Sequence, residues 1–136
     1  MRARRVLGLI SVAATVAAIG PTPAHAAHGI PPRLVGFYYQ HAGGMTVRSN
    51  GTVTVVYQWY YKRDNGMPTF PRLTLEVDTV RGRTLKGRVV SQRKSPVQVG
   101  SRFTLKRKAP GMRLRLAGFP HRWYFCDDSH QGQCGA

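Results

Sequence analysis

Three groups of side chains in this chain have types and spacings that can do chemistry. The first is cationic: Lys86 and Arg88, then Arg102, Lys106 and Lys108, then Arg113 and Arg115, at even or odd positions within their own segments. Alternate residues of an extended chain point to one face. Three such segments side by side would make a cationic sheet face, with Arg93, Lys94 and Arg107 at its margins. That face would hold phosphate or carboxylate polymers chiefly by charge, with a steep dependence on salt. The plainer alternative is a solvated face whose like charges guard the sheet against aggregation. Aromatic residues at the spacing of an RNA-reading β-platform are missing.

The second group is acid–base. Glu76 and Asp78 stand two apart on one strand face, a spacing that paired carboxylates can use. His41 and His121 are candidates for proton transfer, and a small basic secreted ribonuclease combines His, Glu and Arg in this way. No motif joins these four, so no catalytic residue is assigned. The two acids are expected to pair with Arg72 or Lys86. Asp127-Asp128-Ser129-His130 offers oxygen and imidazole ligands but falls short of a calcium loop. No metal or cofactor is expected. The third group is aromatic: Phe37-Tyr38-Tyr39, Trp59-Tyr60-Tyr61 and Trp123-Tyr124-Phe125. These can line a pocket for an apolar molecule or form the core and rim of a small β-domain.

The elements that must position these groups follow a leader. Met1–Arg5 is basic, Val6 to Ile19 is apolar, and Ala24 and Ala26 are small residues before a cleavage point after Ala26. That is the pattern of a secretory signal peptide over residues 1–26, which leaves 27–136 as a single domain, secreted or associated with the cell envelope. Arg2, Arg4 and Arg5 leave with the leader, so 21 cations fall to 18 against five acids, a formal charge of +13. A surface so basic attracts polyanions: nucleic acid, lipid headgroups or acidic wall polymers. Cys126 and Cys134 are the two cysteines, and in an exported chain such a close pair reads as a disulfide. Closing that short loop would contribute roughly 2.5 kcal/mol.

The mature sequence alternates throughout. Ser49-Asn50-Gly51 predicts a type I′ hairpin turn between Met45–Arg48 and Thr52–Tyr61. Pro31-Pro32 predicts an extended lead-in to a strand over Leu34–His41. Lys62–Pro71 reads as a loop, and strands are expected over Arg72–Val80, Thr84–Gln92, Ser101–Lys108, Met112–Ala117 and Arg122–Cys126. Ala109-Pro110-Gly111 reads as a tight turn with proline at its favoured position. No segment has helical periodicity. The expected fold is all-β: a small antiparallel meander barrel of seven or eight strands, with a β-sandwich as the alternative.

Gly36, Thr46-Val47, Asn50-Gly51, Cys126, Cys134 and Gly135-Ala136 give a further lead. On these the chain resembles a group of small secreted actinobacterial, mycobacterial-type proteins that begin with a Gly-x-aromatic strand and end in a Cys pair. A wider similarity is to lipocalin-like β-barrels, whose first strand carries Gly-x-Trp; Tyr38 stands here in place of that Trp. Neither resemblance transfers a functional residue. The expectation is a non-enzymatic domain that binds an anionic partner: a cell-envelope polymer, a lipid headgroup or nucleic acid. A lipocalin-like carrier of a small apolar ligand is the alternative, and a small hydrolase or nuclease the third.

Overall fold

The alternation decides the architecture. Along each long strand one set of side chains is apolar and fully covered, and the other set faces water. Val53 and Val55, Leu73 and Leu75, Phe103 and Leu105, and Leu114 and Leu116 all have at most 2 % of their surface exposed. The computed structural model describes residues 29–60 and 67–127. The expected leader, Tyr61, Cys134 and Asp128–His130 lie outside the described residues.

Among the described residues ten strands are formed: β1 Gly36–Gln40, β2 Gly43–Val47, β3 Thr52–Val56, β4 Trp59–Tyr60, β5 Pro68–Thr69, β6 Arg72–Arg81, β7 Thr84–Arg93, β8 Arg102–Lys108, β9 Gly111–Leu116 and β10 Arg122–Asp127. Eight of them close into an antiparallel barrel in the order β1-β10-β9-β8-β7-β6-β3-β2, and β4 and β5 make a separate two-stranded sheet. The chain is therefore a meander, and the barrel is preferred to the sandwich because β10 returns to β1, pairing Tyr39 with Cys126. Closure leaves the barrel no free sheet edge.

Eight strands give an interior just wide enough for side chains to fill. Tyr38, Met45, Tyr57, Phe125 and Trp123 occupy it together with the aliphatic residues of the strands. Gly87 on β7 lies tight against β6 and against the Phe103 ring of β8. A Cβ there would overlap the Glu76 carbonyl and come within 2.8 Å of the Phe103 ring. The core aromatic is thus accommodated by the missing side chain beside it.

One end of the barrel carries the β2–β3, β6–β7 and β8–β9 turns and is covered by residues 30–35. Pro32–Leu34 forms a single 3-10 turn rather than the expected extended run, because proline is tolerated at the first position of a helical turn. It drives Leu34 into the core, and the Arg33 guanidinium donates to the Gly82 carbonyl at 3.0 Å. The other end carries four loops: 41–42, 57–71, 94–101 and 117–121. Here aromatics close the core. Tyr57 and Trp123 have ring centres 5.0 Å apart, and Phe119 stacks on Trp123 at 5.3 Å and meets Trp59 at 5.2 Å. Tyr57 and Ser95 share a 2.7 Å hydrogen bond that ties two of the loops together.

Several local expectations are corrected. The Asn50-Gly51 turn is not type I′: only Gly51 has a positive φ, at +90°. A turn closed by Gly51 N–H donating to the Arg48 carbonyl precedes it, and Asn50 Oδ1 accepts from Thr52 N–H at 3.0 Å. This is the three-residue hairpin loop in which a glycine bulge follows an ordinary turn. The strand expected to run to Tyr61 breaks after Val56, and β5 lies within the expected loop. Pro110 follows a cis peptide bond at the third turn position, not the second. Irregular pairing between Val77 and Thr79, and between Thr74 and Leu75, inserts extra residues into β6 and β7. Cys126 is fully buried on β10, and its expected disulfide to Cys134 lies outside the described residues.

Candidate anion-binding face

The seven candidate cations Lys86, Arg88, Arg102, Lys106, Lys108, Arg113 and Arg115 are all exposed on the outer side of β7, β8 and β9. They stand there because Leu85, Gly87, Phe103, Leu105, Leu114 and Leu116 alternate with them and are buried. The register arranges them in lines. Arg81, Thr84, Lys106, Arg113 and Tyr124 face one another across five strands. The next line is Thr79, Lys86, Thr104, Arg115 and Arg122. Neighbours in a line are about 5 Å apart and successive lines about 7 Å.

Cations therefore sit directly opposite cations: Arg88 with Arg102, Lys106 with Arg113, and Arg115 with Arg122. A like-charge cross-strand pair destabilises a sheet. Only the first is neutralised. Asp78 Oδ2 lies 3.3 Å from Arg102 and 4.0 Å from Arg88. Among the described residues, Lys106, Arg113, Arg115 and Arg122 have no ion-pair partner. The surface dips into shallow depressions of about 330 Å³ beside Lys106, Arg107, Lys108 and Arg113 and about 270 Å³ beside Arg81 and Lys86. Each has room for a phosphate or carboxylate group.

Two cations absent from the candidate set belong to it. Arg81 and Arg122 complete the two lines; Arg81 was reachable from the two-residue Gly82-Arg83 turn, which forces Arg81 opposite Thr84. Arg122 was not, because the loop before it does not set the register of β10. Arg107, expected at the margin, edges the larger depression, but its guanidinium is engaged away from the face. It follows Phe103 and Leu105 on the inward side, at the covered end of the barrel. Its guanidinium donates to Asp127 at 2.7 Å and lies 5.7 Å from the centre of the Tyr38 ring. Burial pushes the Tyr38 phenol above its usual range, with Arg107 opposing the shift. The Tyr38 hydroxyl donates to the Leu34 carbonyl at 3.1 Å, so this cluster holds the lead-in on the barrel.

The acid–base group is not assembled. His41 lies on the β1–β2 turn and His121 just before β10, both at the loop end, where His121 packs on Trp123 at 4.9 Å. Glu76 faces outward on β6, three strands from β1, opposite Thr52 and Arg88. Asp78 pairs with Arg88 and Arg102 instead of Arg72 or Lys86, because the irregular pairing after Val77 turns it toward β7 and β8. The aromatic group divides: Tyr38, Trp123 and Phe125 are core, Trp59 is at the rim, and Phe37 and Tyr39 stack on the outside with ring centres 6.4 Å apart. No protein-family model matches the chain, and neither a curated protein nor a solved structure matches it.

Proposed function

We propose that the protein is a secreted, non-enzymatic binding domain that holds an anionic partner of the cell envelope on the outer face of β7–β10. The observation that carries this reading is the pair of cation lines without acids. Folding sets Lys106 against Arg113 and Arg115 against Arg122, and each pair costs about 0.2–1 kcal/mol by its position. A polyanion laid along the lines removes that cost. It also releases its own counterions, which makes the association entropically favourable and steeply salt-dependent. The face is rigid, because the buried leucines alternating with the cations fix the strands beneath them. It selects by charge and spacing.

The interior is a poorer candidate for a ligand. Side chains from all eight strands pack into it, and no observation among the described residues favours the carrier alternative. The hydrolase alternative requires Glu76 to meet His41 and His121, and the strand order separates them.

The test is retention of the protein on heparin and phosphocellulose as salt is raised. Retention should fall steeply with salt and disappear when Arg102, Lys106, Arg113 and Arg115 are replaced together by Ser. A fourfold variant that folds and elutes like the parent would remove the sheet face from consideration.

A further inference from the structure

Of the five large apolar side chains exposed among the described residues, Phe37 stands on β1, and the other four belong to the β3–β6 connection, the β7–β8 loop and β7. Met67, Phe70 and Val99 are 66 %, 53 % and 60 % exposed, and Val90 on β7 beside them is 39 % exposed. Met67 and Phe70 flank β5 on the long β3–β6 connection, and Val99 stands on the neighbouring β7–β8 loop. Both loops are braced from behind. Pro71 accepts from Tyr57 N–H at 3.2 Å, Gly100 N–H donates to Val89 at 2.7 Å, and Tyr57 bonds Ser95. These bonds tie the bases of both loops to the barrel.

Cations stand at their base. Arg72 begins β6 and Arg93 ends β7, and the two are direct cross-strand partners, both exposed, with no ion-pair partner among the described residues. From this combination we infer that the loop end of the barrel docks on an anionic lipid bilayer. Met67, Phe70 and Val99 enter the acyl boundary while Arg72 and Arg93 meet the headgroups. Apolar side chains on the loops and cations at the strand ends that carry those loops are the two chemistries that a bilayer surface meets. Apolar burial and attraction to anionic headgroups add together in such interfacial contacts. The shape points the same way. The exposed side chains are spread over two loops, and a fluid interface accepts them one by one, whereas a folded partner would need a continuous patch. The residues differ from those of the sheet face, so the inference stands or falls apart from the proposed function.

The experiment is co-sedimentation of the protein with vesicles of phosphatidylglycerol and phosphatidylcholine, against vesicles of phosphatidylcholine alone. Binding is expected to the mixed vesicles only. The triple variant M67S/F70S/V99S should bind them on the order of tenfold more weakly, since each tip contributes an apolar side chain. It should keep the parent's retention on heparin, which also shows that it is folded. The variant F70W reports insertion by difference from the parent, whose Trp59 and Trp123 also emit: the added emission should shift to the blue on adding mixed vesicles and be quenched by brominated acyl chains. The inference is overturned if mixed vesicles are not bound, if the triple variant sediments like the parent, or if F70W emission does not move. It is also overturned if vesicle binding is lost only in the Arg102, Lys106, Arg113 and Arg115 variant, which would assign the membrane surface to the sheet face.

Discussion

If Lys106 and Arg113 are held opposite each other for a ligand, neutralising them should weaken binding and strengthen the fold. Gln is the substitution of choice, because K106Q and R113Q remove the charge and keep the methylene stems that cover the sheet. The two residues are direct cross-strand partners on the outside of β8 and β9, with no acid beside them among the described residues. Like charges in that position cost about 0.2–1 kcal/mol, so a double-mutant cycle should return a repulsive coupling of about 0.5 kcal/mol at low salt. For a domain of this size that coupling corresponds to a rise of about 2–4 °C in melting temperature. Raising ionic strength to about 1 M shortens the screening length to about 3 Å and should abolish it. The same double variant should lower the slope of log affinity against log salt by about 1.4–1.8, at about 0.7–0.9 for each phosphate no longer neutralised. Thermal unfolding of the four proteins at low and high salt measures the coupling, and titration with a polyanion measures the slope. Zero or attractive coupling at low salt, or an unchanged salt slope, would refute the reasoning.

Asp78 restrains two cations of the face, so D78N should free Arg88 and Arg102 and tighten polyanion binding several-fold, read by titration. Both arginines are well exposed, so its cost in stability should stay below about 1 kcal/mol. Gly87→Ala should destabilise by on the order of 3 kcal/mol, measured by denaturant unfolding, because its Cβ would overlap the Glu76 carbonyl and press on Phe103. The raised Tyr38 phenol stays protonated in the folded state at a pH where the unfolded chain, titrating near 10, has lost its proton. That contribution is therefore complete below about pH 10 and is lost as pH rises through the folded value. Y38F should be about 1 kcal/mol less stable near neutrality, having lost the bond to Leu34, and the gap to the parent should narrow above about pH 10 in unfolding curves.

Alternation by itself determined which side chains are inside. Val53 and Val55, Leu85 and Val89, and Phe103 and Leu105 could be assigned to the core from period alone, and the intervening cations to the outside, because a strand has only two faces. Short connections then favoured a meander, so the all-β fold and the cationic set Lys86 to Arg115 were legible in the chain. Tight turns carried register only where their type was read correctly: the expected Ala109-Pro110-Gly111 turn counts out to Lys106 against Arg115, whereas Lys106 faces Arg113.

Closure was decided elsewhere. The pairing of Tyr39 with Cys126 joins the first strand to the last, and no local signal encodes a meeting of residues so far apart in the chain. Extra residues in β6 and β7 moved Asp78 toward Arg102, which period-two counting cannot register because a bulge shifts the pairing beyond it. Arg107 was expected at the margin of the cationic face. Its inward parity at the covered end gave it Asp127 and Tyr38 instead. The gathering of Met67, Phe70 and Val99 beside Arg72 and Arg93 likewise depends on which loops a closed barrel brings to one end. The sequence supplied the charges and their side of the sheet. Tertiary structure decided which charges face each other, because opposition across strands is set by register and closure, and neither is a property of one segment.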